Sequence, residues 1–217
     1  MNKNNLQQTI ERYNQRLEKF GYSEEALGWS KNKNNYRFEA LIKEWKNELF
    51  NSSICDFGCG FGDLYQYLSA CSCNPKSYTG IDINENLINV GKEKYPDAKF
   101  WCGNILTETL DEQFDFTFSS GVFNHKLSGE DEFEFIKNCI TKIDSFTTKG
   151  FAINFLSDKV DFFTEHNYNA NPGKIVELCY NFSNNIVLRN DYMPYEFTVY
   201  IRKDILVNKE KIVYQYE

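Results

Sequence analysis

The chain is poor in several residue types that would have pointed to particular kinds of protein. It has 4 prolines, 2 methionines and two histidines among 217 residues. With so little proline, helices and inner strands can run without interruption. The two histidines, His125 and His166, stand far apart, and seven cysteines (Cys55, Cys59, Cys71, Cys73, Cys102, Cys139 and Cys179) form no C-x-x-C pair. No metal site is therefore expected. An odd number of scattered cysteines reads instead as free thiols in a reducing cytosol, used as small apolar side chains. No apolar stretch nears the roughly 20 residues that would cross a bilayer. The opening Met1-Asn2-Lys3-Asn4-Asn5 leads into polar residues and not into a signal peptide. Basic charge is also short: 24 Lys and Arg stand against 31 Asp and Glu, a net charge of −7. Such a surface repels phosphate backbones, so nucleic acid is not an expected partner. A cytoplasmic protein without membrane insertion is the expectation.

What is present is aromatic and apolar. With 41% hydrophobic residues, 19 Phe and 14 Tyr, the chain can bury a core of its own, and its length suits one domain. Leu6, Ile10, Tyr13, Leu17 and Phe20 recur at helical spacing up to Gly21, and a second helix is expected over about Arg37 to Leu49. Residues 1–50 thus read as a helical cover. From there the rhythm changes. Short strand-like runs at Ser53–Phe57, Ser77–Ile83, Ala98–Cys102, Phe114–Ser119 and Gly150–Phe155 alternate with amphipathic stretches around Leu64–Leu68, Leu87–Tyr95 and Phe133–Ile143. That alternation predicts an α/β fold with a parallel sheet wound on both faces. Ile186–Asp191 and Glu196–Arg202 flank a turn at Met193-Pro194 and should pair as an antiparallel hairpin.

The densest signal is Asp56-Phe57-Gly58-Cys59-Gly60-Phe61-Gly62 at the end of the first strand. Glycines there admit positive φ and let a ligand lie against bare backbone beside a helix N-terminus. Asp82 ends the next strand, in Thr79-Gly80-Ile81-Asp82-Ile83. A carboxylate at that tip suits the two hydroxyls of a ribose. A dinucleotide site would want G-x-G-x-x-G, but Asp63 stands where the third glycine would fall, and Asp56 would repel a pyrophosphate. A cofactor carrying an ammonium and a sulfonium tolerates those acids better, which favours S-adenosylmethionine over NAD.

These motifs resemble the class I S-adenosylmethionine-dependent methyltransferases over nearly the whole chain. The resemblance implies a Rossmann-like seven-stranded sheet of order 3-2-1-4-5-7-6 with strand 7 antiparallel, spanning residues 51–217. It implies S-adenosyl-L-methionine as cofactor, with Asp56, Gly58 and Gly60 in its first motif. Asp82 and Ile83 would sit at the ribose, and Asn104 and Ile105 at the adenine. An acid is usual where Asn104 stands; its amide oxygen can still accept from an adenine amino group. Ser119-Ser120-Gly121-Val122-Phe123-Asn124 resembles the fourth motif, whose backbone runs beside the methionine moiety. A closer likeness, to small bacterial methyltransferases found with surface-polysaccharide genes, rests on Ala26-Leu27-Gly28-Trp29, Arg37-Phe38, Leu188-Arg189-Asn190-Asp191-Tyr192 and Tyr195-Glu196-Phe197-Thr198-Val199-Tyr200. It implies O-methylation of a small polar acceptor, a sugar or a phosphate-bearing precursor, in capsule biosynthesis. A carboxylate or amine acceptor, a cofactor-binding protein without turnover and a nucleotide-linked oxidoreductase are the alternatives. The protein would act as a monomer or a homodimer.

Methyl transfer requires acceptor, methyl and sulfur in line, water excluded and, for many acceptors, a proton removed. Arg37 is the candidate for the cofactor's carboxylate, and Trp29 for packing over the cofactor. A lid is expected over about 156–172, which mixes acids, aromatics and His166. His166 is the first candidate for a general base and His125 the second. Asn124, Tyr168, Asp191 and Tyr192 are candidates for contacts with the acceptor.

Overall fold

The computed structural model describes residues 1–30, 33–203, 206–208 and 213–215, the last two stretches as backbone. Helix α1 (Lys3–Phe20) starts at Asn2, whose side chain accepts from the Asn5 N–H, and ends at Gly21 with φ +61°. Helix α2 (Asn34–Ile42) begins earlier than expected and also stops earlier. The amides of Lys43 and Trp45 bond three residues back, to Ala40 and Ile42, so the chain tightens into turns after Ile42. Those turns drive Trp45 into the core, where it meets Phe116, Phe118 and Tyr200 at ring separations of 5.3, 6.1 and 5.7 Å. Removing a fully buried indole of this kind costs about 3–5 kcal/mol.

The remaining elements follow the expected alternation. They are β1 (Ser53–Phe57), α3 (Asp63–Ala70), β2 (Ser77–Asp82), α4 (Glu85–Lys94), β3 (Lys99–Cys102), β4 (Phe114–Ser119), α5 (Glu132–Phe146) and β5 (Thr147–Leu156). After these come α6 (Pro172–Cys179), β6 (Asn185–Arg189) and β7 (Glu196–Arg202), then a small pair, β8 (Leu206–Asn208) and β9 (Val213–Gln215). Strand β5 runs three residues further back than the apolar run suggested, because Thr147 pairs with Phe114 across a register shift. Sequence reading passed over α6. It is eight residues long, capped by Asn171, with proline in its first turn.

Seven strands join in the order β3-β2-β1-β4-β5-β7-β6. The first five are parallel, and β7 runs antiparallel to both β5 and β6. The expected α/β topology and terminal hairpin are both present. One face of the sheet packs Ile140, Ile143 and Ile175 from α5 and α6 against Phe151, Phe155 and Phe197. The other face takes Leu41, Trp45, Leu64 and Leu68 against Phe116 and Phe118. A layer of stacked rings, Phe123 on Phe155 on Phe197 at 5.5 and 5.3 Å, runs from the loop after β4 to β7. All seven cysteines are free thiols. No described helix is long and apolar enough to cross a membrane.

Candidate active site

A cavity opens beyond the C-terminal ends of β1, β2 and β4, where the strand order reverses between β1 and β4. In open α/β sheets that crevice is where ligands bind. Its floor is the glycine loop. The Gly58 and Cys59 amides bond to the Ile81 carbonyl at 2.8 and 3.0 Å, tying the loop to β2. Gly58 has φ +75°, and a Cβ there would lie 2.0 Å from Val122 Cγ2. Only glycine fits.

Asp82 sits beside this loop. One carboxylate oxygen accepts the Gly60 amide and the other the Asn84 amide, each at 2.9 Å. Those two bonds, with the Ile83 amide adding to them, hold the carboxylate at the strand tip and leave its remaining lone pair for a ligand. Asp56 is 6% exposed and lines the same cavity. Burial pushes its pKa up to about 7, and the charges of Asp82 and Asp63 add to the rise. The Tyr78 hydroxyl, donating at 2.6 Å, works in the opposite direction. A buried acid with no cation beside it is ready for a positively charged ligand.

The roof comes from the N-terminal helices, which cover this chain's own cavity. Thr9, Ile10 and Tyr13 of α1 line it, as do Trp29 and, from α2, Asn34 and Phe38. Polar contacts fasten α1 at three points. Asn5 exchanges hydrogen bonds with Ser128 and gives one to Glu130. Asn14 receives Asn84 and Asn86 at 3.0 Å each. Arg16 donates to the carbonyls of Ala26 and Glu25.

The fold brings most of the expected cofactor residues to one place. Asp56, Gly58 and Gly60 line the cavity together with Asp82 and Ile83, and so do Asn104, Ile105, Gly121 and Trp29. The edge of the Trp29 indole lies so close to Gly121 that a Cβ on that glycine would be 2.3 Å from it. Asn104 also organises its own turn, since its side-chain oxygen accepts the Leu106 amide at 3.0 Å. His125 lines the cavity as well.

Other expectations need correction. Arg37 does not line the cavity, and its Nε and Nη2 are committed elsewhere while Nη1 has no hydrogen-bond partner. It is buried, its guanidinium forks onto both oxygens of Glu196, and it stacks on Trp29 at 4.1 Å. Ser119 is buried under the loop with an unpartnered hydroxyl, and its neighbours Ser120 and Gly121 reach the cavity in its place. The His166 side chain is exposed on the loop after β5 and does not line the cavity; its carbonyl accepts the Lys126 amide. Asn124 is a joint, taking the Leu156 amide on its side chain and the Tyr168 amide on its carbonyl. That second bond ties Tyr168 to the scaffold, where its ring packs on the core. Asp191 is exposed and paired with Arg189. Tyr192 is bonded to Asn154 and Thr198, away from the cavity lining. Each of these residues lies in a motif-like string, but local strings do not reveal partners supplied by distant strands.

The structure adds one residue that sequence reading left in a helical stripe. The Tyr13 hydroxyl lies 3.3 Å from His125 Nε2, and both side chains line the cavity. Burial, reinforced by the charges of Arg12 and Arg16, lowers the His125 pKa to about 4, so the imidazole is neutral. Burial raises Tyr13 to about 12. Nothing at position 13 distinguishes this tyrosine from a core residue in the sequence; only the fold brings it across to His125.

Residues 54–143 match the family described as a methyltransferase domain. A protein of Mycobacterium tuberculosis that bears a methyltransferase name is 30% identical over 159 residues, which is 70% of this chain and 93% of that one. Among solved structures, a DhpI complex with S-adenosylhomocysteine (SAH) superposes with a TM-score of 0.70 at 11% identity, covering 94% of this chain and 98% of that one. The magnesium protoporphyrin IX methyltransferase of Synechocystis PCC 6803, also with bound SAH, gives 0.62 at 14% identity over 79% of this chain and 83% of that one. The chain belongs to the class I S-adenosylmethionine-dependent methyltransferases, and it is an enzyme of that family.

The residues present suit that family's cofactor. The glycine cradle leaves no room for a Cβ at Gly58, Asp82 keeps a lone pair free at a strand tip, and Asp56 is an acid without a cation.

Proposed function

We propose that the protein transfers a methyl group to a hydroxyl of a small polar acceptor, a sugar or a phosphate-bearing precursor, in the biosynthesis of capsule or other surface polysaccharide. The setting is supported by the sequence strings around Trp29, Arg189 and Tyr195. The choice of a hydroxyl is supported by the Tyr13–His125 hydrogen bond, the observation on which the reading rests. S-adenosylmethionine, when bound, supplies an electrophilic methyl on a sulfonium. Asp82 would take the ribose hydroxyls, Asn104 and Ile105 the adenine, and Asp56 the ammonium. Trp29 over Gly121 closes the end of the cavity and keeps water from the reacting atoms.

A hydroxyl must lose its proton as it gains the methyl. With His125 carrying its own proton on Nδ1, which is buried without a hydrogen-bond partner, Nε2 accepts from Tyr13. The acceptor's proton passes to the Tyr13 oxygen while the Tyr13 proton passes to His125 Nε2. His166 has no part in this.

The test is release of SAH in the presence of sugars, sugar phosphates, carboxylates and amines. With a hydroxyl acceptor, His125→Ala and Tyr13→Phe should each lower kcat by about 10²-fold or more. Binding of SAH by these variants should hold, and His166→Ala should keep the wild-type rate. Turnover with carboxylates or amines alone would overturn the hydroxyl reading. Full rates in both variants would remove the proton path.

A further inference from the structure

Helix α2 meets the cavity with its first turn. Asn34 and Phe38 stand one turn apart on the same face of the helix, and both line the cavity. Arg37, next to that face, stacks on Trp29, whose indole edge lies against Gly121. Asp56 on β1 pairs in register with Phe118 on β4, in the strand that leads to Gly121. This chain of contacts places Asn34 at the end of the cavity that holds Asp56.

The first turn of α2 is bare. Lys33 stands at its N-cap without a side-chain cap bond, and the turn contains no acid. Its leading amides have no intrahelical acceptor, and with the helix dipole they favour an anion. An asparagine near a helix start ordinarily bonds the local main chain. Asn34 does not. It is 5% exposed, and its Oδ1 is buried without a partner. What its amide can present to the cavity is Nδ2, which donates to nothing among the described residues.

The cavity also sets a problem of charge. S-adenosylmethionine ends in an ammonium and a carboxylate on one carbon. Asp56, Asp63 and Asp82 all line the cavity, while among the described residues no lysine or arginine does. Arg37 is committed to Glu196. A carboxylate entering beside three acids needs donors, and those on offer at this end are neutral.

We propose that the cofactor's carboxylate is bound by the Asn34 side-chain N–H and the bare amides at the start of α2, in place of an arginine. This rests on the placement of the ammonium at Asp56 proposed above. The two charges of one amino-acid group are then gripped from opposite walls, the roof helix α2 and the floor strand β1. Neutral donors suit this wall, because a cation here would pair with Asp56 and compete with the ammonium.

Calorimetry on the full chain separates the carboxylate from the rest of the ligand, using SAH, its decarboxylated analogue and 5′-methylthioadenosine. The wild type should bind SAH about tenfold or more tightly than the decarboxylated analogue. Asn34→Asp keeps the shape of the side chain and suits a helix N-terminus, but sets a negative charge against the ligand's carboxylate. Its affinity for SAH should fall about tenfold or more, while its affinities for the other two ligands should not fall. Unchanged SAH affinity in Asn34→Asp, an equal loss for all three ligands, or a wild type indifferent to the carboxylate overturns the proposal. A decarboxylated analogue that binds no better than 5′-methylthioadenosine removes the ammonium site at Asp56 and leaves the carboxylate site to stand on the Asn34→Asp result. Failure of the wild type to bind SAH removes the cofactor placement and this inference with it.

Discussion

Arg37 and Glu196 meet as a buried ion pair across 159 positions of sequence, Nε to Oε2 at 2.9 Å, with Trp29 stacked on the guanidinium. Asn154 adds a donor to the same carboxylate at 3.1 Å. The pair joins α2 to the start of β7 and fixes the indole that closes the cavity.

Glu196→Ala should therefore be strongly destabilising, because it leaves a guanidinium buried without its counter-charge. A loss of about 3–5 kcal/mol is expected from urea unfolding. The tryptophan emission should also shift to longer wavelength as Trp29 loses its seat. Arg37→Lys should recover only part of the stability in comparison with wild type, since an ammonium cannot fork onto both oxygens.

Gly121→Ala should act at the same indole from the other side. At φ +77°, with the indole 2.3 Å from the new Cβ, the substitution is strained in the backbone and blocked in space. Affinity for SAH, read by calorimetry, should fall at least about tenfold. Gly129→Ala, at φ +68° with open space around it, should leave that affinity unchanged.

Asp56 makes stability depend on pH. Its pKa rises from 3.8 in the unfolded chain to about 7 in the fold, chiefly through burial. The folded state holds this proton more tightly, so the contribution to stability is full below about pH 4 and is lost as pH rises through about 7. In urea titrations at stepped pH, the wild type should lose stability over that window relative to Asp56→Asn. Parallel curves for the two proteins would contradict the assignment.

His125 makes a separate prediction for rate. Because its pKa is lowered to about 4, by burial first and the arginines second, the acid limb of kcat/KM should lie well below that of an ordinary histidine. The rate should hold between pH 7 and pH 6. Arg12→Gln removes a positive charge from its surroundings, so the limb should move to higher pH.

The sheet was legible because its information is local. Each strand is a short apolar run between turns, and the glycine loop with Asp82 carries its geometry in a few consecutive residues. The hairpin β6–β7 follows from two β-branched runs around Met193-Pro194. Helix α6 escaped because eight residues are too few to establish a period, although Asn171-Pro172 carried a start signal. The roles misread in the sequence depend on partners far along the chain. Arg37 has Glu196, Asn124 has Leu156 and Tyr168, and Tyr13 has His125 at a separation of 112 residues. His166 drew attention through its chemistry, but the loop that carries it turns the side chain outward.

The fastening of α1 has a consequence for traffic through the cavity. Asn5 is the one residue of that helix that is fully buried, and its ties at Ser128, Asn84 and Ala26 are hydrogen bonds. Such bonds exchange with water at a net cost of about 1 kcal/mol each. Apart from them, α1 rests on one small apolar patch, Tyr13 and Leu17 against Ala26, Phe61 and Leu87, separate from the aromatic packing on the two faces of the sheet. Entry of a nucleoside-sized ligand beneath α1 therefore has little apolar surface to separate, and the Tyr13–His125 bond forms only while the helix is seated on that patch.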